Sequence, residues 1–91
     1  MHPQSLPTRQ QVRERLVQLL IEVAKIPESK ISDHATIDAD LRMESVVVIE
    51  IQVALEDEYN IELDPIYLIE LNEFGPIVDY VYQCAAGSHG R

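Results

Sequence analysis

The chain has no tryptophan, one phenylalanine and four tyrosines among 91 residues, so its core must be built from aliphatic side chains. A single cysteine, Cys84, excludes an internal disulfide. With one Cys and three scattered His it also offers no zinc-ligand spacing. No apolar run is long enough to cross a membrane. The N-terminus, Met-His-Pro-Gln-Ser-Leu-Pro, has neither the basic start nor the apolar run of a signal peptide, which makes the cytoplasm the expected location. Cations are scarce. Seven Lys and Arg stand against sixteen Asp and Glu, a net charge of −9, and between Met43 and Gly90 there are ten acids and no base. Such a half repels nucleic acid and anionic membrane surfaces and attracts basic protein partners.

Two further absences remove enzyme classes. There is no Gly-x-Ser-x-Gly, and His34 is the only histidine away from the ends, so a serine hydrolase lacks its base and is not expected; His34 reads as a loop surface residue. Asp38-Ala39-Asp40 opens like a calcium loop, but Arg42, Met43 and Ile49 stand at its fifth, sixth and twelfth positions, and the pattern fails. What is present is 46% hydrophobic and 25% charged residues, the composition of a folded domain. At this length a chain buries about 60–65% of its unfolded surface, so one domain with a small core is expected. Its folded part should run from about residue 8 to 83 with short flexible ends.

Thr8-x-x-Gln11 fits a capping box, and Val12, Leu16, Leu19, Leu20 and Val23 follow on one helical face; this first helix should stop before Pro27. Arg9 and Arg13 near its start oppose the helix dipole without an evident reason. From Pro27 to Glu44 no period persists, and the segment reads as one long ordered loop anchored by Ile31, Ala35, Ile37 and Leu41. Leu41 to Tyr59 then carries two apolar stripes at helical spacing. Val48, Ile51, Leu55 and Tyr59 suit a core; Val46, Ile49 and Val53 fall on the other side, bordered by Glu50, Glu56 and Asp57. Ser45 opens this helix directly after Glu44, where unpaired N–H groups and the dipole favour a phosphate. Asn60 suits its left-handed end. Asp64-Pro65 should open a short third helix to about Glu70, with Ile66, Ile69 and Leu68 turned inward. Asn72 is the expected cap of a last helix bearing Phe74, Ile77, Val78 and Val81, with an irregular first turn at Pro76 and a frayed tail from Cys84. The fold expected is all-α, a small bundle of three longer helices and a short third one.

Ala39-Asp40-Leu41, Glu44-Ser45-Val46, Glu50 and Ala54-Leu55-Glu56-Asp57-Glu58-Tyr59, in that register, resemble the acyl and peptidyl carrier proteins, whose attachment serine opens the second helix in an Asp-Ser-Leu motif. The resemblance extends from about Val12 to Val81. It implies that Ser45 is esterified to 4'-phosphopantetheine, donated from coenzyme A by a magnesium-dependent phosphopantetheinyl transferase. It also implies that the protein is no enzyme. It would present thioester-bound cargo to a loading ligase or transferase and to synthase or condensing enzymes, with Glu44, Val46, Val47, Ile49, Glu50, Val53, Glu56 and Asp57 forming the docking face. Three residues depart from the family pattern: Glu44 for aspartate, Val46 for leucine, and Arg42 where many relatives have glycine. The apolar opening Val46-Val47-Val48-Ile49 points to a dedicated carrier of a polyketide, nonribosomal peptide or aminoacyl pathway, expected as a discrete monomer acting in trans. The other reading is an acidic helical interaction module with the carrier fold that is never modified.

Overall fold

A computed structural model describes residues 6–87. The chain forms α1 (Arg9–Glu22), a single 3-10 turn (Glu28–Lys30), α2 (Ser45–Tyr59), α3 (Pro65–Leu71) and α4 (Phe74–Ala85), a small helical bundle. Among the described residues there is no strand, only an isolated bridge between Thr36 and Glu73.

The capping box forms at α1: the Thr8 hydroxyl accepts the Gln11 N–H at 3.1 Å and the Gln11 side chain accepts the Thr8 N–H at 2.9 Å. Val12, Leu16, Leu19 and Leu20 are buried, while Val23, one residue past the helix, is half-buried. The cations at the head of α1 acquire a reason. Arg9 pairs with Asp79 of α4, and Arg13 pairs with Asp33 of the loop while its guanidinium lies 5.3 Å from the Phe74 ring centroid. These contacts to two other segments offset a local dipole cost confined to one turn.

After α1 the chain turns at Lys25, in the left-handed region at φ 61°, and Ile26 enters the core. The long segment to Glu44 is ordered because it is bonded at both levels. Ile31, Ala35, Ile37 and Leu41 are all buried. Its backbone is tied to the α3–α4 junction by Ile37 N–H to Asn72 O (2.7 Å), Phe74 N–H to Ala35 O (2.9 Å) and Gly75 N–H to Asp33 O (2.8 Å). Gly75 suits this close approach: a Cβ would sit 3.1 Å from the Asp33 carbonyl oxygen, tighter than an ordinary contact. Buried backbone groups in so long a loop must find partners, and these do.

Three details differ from the sequence reading. In α3 only Leu68 is buried; Ile66 and Ile69 face outward at 66% and 38% exposure. The Asp64 carboxylate caps Ile66 and Tyr67 N–H and fixes the helix phase, and a helix of about two turns has room for one inward position. Asn72 does not cap α4. It ends α3 at φ 67°, and Glu73 is the N-cap of α4. That shift puts Pro76 at the third helical position, whose N–H has no intrahelical acceptor in any helix, so the first turn is regular and Ile77 N–H reaches Glu73 O at 3.1 Å. Cys84 lies inside α4, half-buried, and not in a frayed tail; the expectation for residues 88–91, like that for residues 1–5, falls outside the described residues.

Candidate functional site

Ser45 is the first residue of α2 and is exposed. Glu44 precedes it in extended conformation (φ −78°, ψ 155°), and its backbone carbonyl accepts Val47 and Val48 N–H at 3.0 and 3.1 Å. The Glu44 side chain makes no capping hydrogen bond. The Ser45 and Val46 N–H groups at the helix start therefore lack a side-chain cap, and the positive end of the helix dipole lies behind them.

The two stripes of α2 separate as their spacing requires. Val48, Ile51 and Leu55 are buried, Leu55 to 1% exposure, and Tyr59 is half-buried, where burial holds its phenol above the usual range. Val46, Ile49 and Val53 are 57%, 45% and 47% exposed, a continuous apolar strip running from Ser45 down the outer face. Glu50 and Asp57 stand exposed beside it. Val47 is half-buried and packs against the core edge, so of the run Val46 to Ile49 only the first and last residues add to the outer strip.

Glu56 carries a duty that its spacing did not reveal. Its Oε2 accepts the Leu63 N–H at 2.7 Å and the Gln52 side-chain amide at 2.9 Å, tying α2 to the turn before α3. The Leu63 bond first and the Gln52 bond second hold the Glu56 carboxyl below the usual carboxylate range, against a smaller upward push from burial.

A groove of about 240 Å³ opens beside Ser45, between the long loop and α3. Its floor is apolar (Ile37, Met43, Val48 and Ile69), and its rim carries Asp38 and Asn72, whose side chains meet at 3.2 Å. No short-range sequence signal joins residues 34 positions apart, which is why this groove was not legible beforehand. Inside the bundle the void bounded by Leu16, Ile51, Leu55, Leu68 and Phe74 measures only about 30 Å³ with a wholly apolar lining, room for no more than about one water-sized group.

An exposed primary hydroxyl, a free helix N-terminus and a mixed groove alongside suit a phosphate-linked chain that carries both amides and methyl groups. When bound, phosphopantetheine supplies a terminal thiol for thioester formation. His34 is a solvent-exposed loop residue, its side chain 93% accessible, and takes no part. Among the described residues no cluster of His, Cys, Asp or Glu could hold a metal ion, and no helix is long and apolar enough to cross a membrane.

Residues 14–81 match the family model of the phosphopantetheine attachment site. The acyl carrier protein of Saccharopolyspora erythraea is 30% identical over 78 residues, covering 86% of this chain and 82% of that protein. Those of Thermobifida fusca and Acidothermus cellulolyticus are 22% and 26% identical over 74 residues each, covering 81% of this chain and 94% and 88% of theirs. The match spans α2 with its exposed leading serine, the loop that shapes the groove and the helices that close the core: this chain belongs to the acyl carrier protein family, and its cofactor is 4'-phosphopantetheine.

Proposed function

We propose that Ser45 is the residue that receives the phosphopantetheine arm, and that the strip Val46, Ile49 and Val53, with Glu44, Glu50 and Asp57 around it, is the face on which partner enzymes dock. The observation that carries this reading is the contiguity of an exposed serine at a helix start with an apolar strip that nothing in the bundle covers. In the loading step the Ser45 Oγ displaces at the β-phosphorus of coenzyme A: a serine O–P bond forms, the pyrophosphate bridge breaks, and adenosine 3',5'-bisphosphate leaves. The hydroxyl proton passes to the transferase. The chain itself supplies position and charge and no catalysis.

The cargo is an acyl or aminoacyl/peptidyl thioester delivered in trans. The exposed strip is made of three aliphatic side chains, which supports a dedicated partner set of a polyketide, nonribosomal peptide or aminoacyl pathway. Intact mass after incubation with coenzyme A, magnesium and a broad-specificity phosphopantetheinyl transferase tests the assignment. The parent should gain one phosphopantetheine and Ser45→Ala none. A folded, unmodified sample that gains nothing with several transferases would make the chain an unmodified interaction module instead.

A further inference from the structure

The cations of this acidic protein are divided by use. Arg9, Arg13 and Arg15, all on α1, pair with Asp79, Asp33 and Glu58. Among the described residues, Lys25, Lys30 and Arg42 form no ion pair, and all three lie in the segment between α1 and α2. Lys30 and Arg42 line one open concavity of about 540 Å³ together with His34. The one carboxylate in that lining, Asp40, is engaged internally: its Oδ2 accepts the Thr36 N–H and hydroxyl at 2.9 and 3.1 Å. Lys30 and Arg42 thus leave this open basin one charge positive even with the Asp40 carboxylate counted, in a molecule whose net charge is −9.

Arg42 is also held where a side chain is disfavoured. Its φ is 54°, the left-handed region that glycine enters freely and arginine does not. The flanking residues enforce it: Leu41 is buried with its N–H on Thr36 O at 2.8 Å, and Met43 N–H is on Ile37 O at 2.9 Å. Nothing inside the fold uses the guanidinium that this arrangement presents. Residues held in sparsely populated backbone conformations cluster at functional sites.

Position decides what the group is for. Arg42 is three residues from Ser45, at most about 11 Å along the chain. A specific interface covers about 800 Å² on each partner, so any enzyme seated over Ser45 also covers Arg42. On the α2 side such an enzyme meets Glu50 and Asp57; on the loop side it meets Arg42, whose basin Lys30 shares. Resting on the assignment of Ser45 above, we infer that the enzymes acting on this carrier present a two-signed surface, cationic opposite α2 and carboxylate-bearing opposite the Lys30/Arg42 basin. A uniformly basic partner would bury an unmatched like charge at Arg42, which selects against it. A cation at Arg42 set against the carboxylates of Glu44, Glu50 and Asp57 then fixes the carrier's orientation as well as its rate of encounter.

The test is the rate constant kcat/KM for phosphopantetheine transfer by the host cell's own transferase, measured at low and raised salt, with each variant's melting temperature recorded. Arg42→Glu should lower it about tenfold or more and flatten its salt dependence. Arg42→Lys, which keeps the charge, should stay within about twofold of the parent. Arg42→Gly should fall between them with a melting temperature no lower than the parent's, since glycine relieves the backbone. Lys30→Glu, at an exposed position in ordinary backbone, repeats the test independently of any folding defect at Arg42. Glutamate variants as fast as the parent, or faster, would overturn the inference while leaving Ser45 as the attachment residue. A parent that gains no mass would remove the assignment of Ser45 and this inference with it.

Discussion

At Glu56 a single carboxylate oxygen joins two elements, and its chemistry makes the joint sensitive to acid. The Leu63 N–H and the Gln52 amide both favour the ionised form, so the carboxyl's pKa is lower in the folded chain than in the unfolded one. A depressed folded pKa contributes stability above the unfolded carboxylate value near 4.3 and loses it as pH falls through the folded value. Glu56→Gln should therefore melt below the parent at pH 7, and the gap should close as the pH is taken well below 4. A gap that stays constant with pH would mean that packing and not charge accounts for it. The same bond explains why Glu50 and Asp57, rather than Glu56, are the residues at which to reverse charge when docking is probed: at Glu56 a lysine would also release the turn at Leu63.

Among the elements, α2 was readable from its spacing because one helix had to serve two surfaces. A 3.6-residue period separates Val48, Ile51 and Leu55 from Val46, Ile49 and Val53 whatever the rest of the chain does. The prediction at this scale contrasts the two sides. Ile49→Glu should leave helicity and stability within about 0.5 kcal/mol of the parent, yet weaken transfer of cargo to partner enzymes. Leu55→Ala, at 1% exposure, should cost about 2–5 kcal/mol. Denaturant titrations of both, beside a loading assay, decide it; an unfolded Ile49→Glu would place that strip in the core. The capping box of α1 was equally legible, since both of its bonds are local in sequence. α3 was not. With about two turns, its phase is set by the Asp64 cap and by the Tyr67–Tyr80 ring contact, centroids 4.8 Å apart, and a periodicity argument has too few residues to choose Leu68 over Ile66 and Ile69. Asn72 was misread for a related reason. Asparagine suits both a helix start and a left-handed stop, and its partners at Ile37 and Asp38 lie 34 or more positions away. The groove beside Ser45 depends on those same distant contacts, so the serine proposed for attachment could be picked out from the sequence and its surroundings could not.

For the molecule as a whole, charge opposes the fold more than it supports it. Ten acids between Met43 and Gly90 have no base among them, and among the described residues the Arg and Lys that pair do so from α1. Those pairs are partly exposed, and exposed ion pairs contribute about 0–1 kcal/mol each. A net charge of −9 on a bundle with so small an aliphatic core is self-repulsion that added salt screens. The melting temperature should therefore rise as sodium chloride is increased from about 0.01 M to about 0.15 M, over which the Debye length shortens from about 30 Å to about 8 Å. A fall instead would show that the α1 ion pairs outweigh the acidic half. With Ser45 as the proposed attachment residue, phosphopantetheine would add one more negative charge at the head of α2, where the helix dipole and the first-turn N–H groups oppose the repulsion. The salt-induced rise should accordingly be nearly the same for the modified and unmodified protein, and a markedly steeper rise after modification would mean that the helix terminus does not accommodate the phosphate.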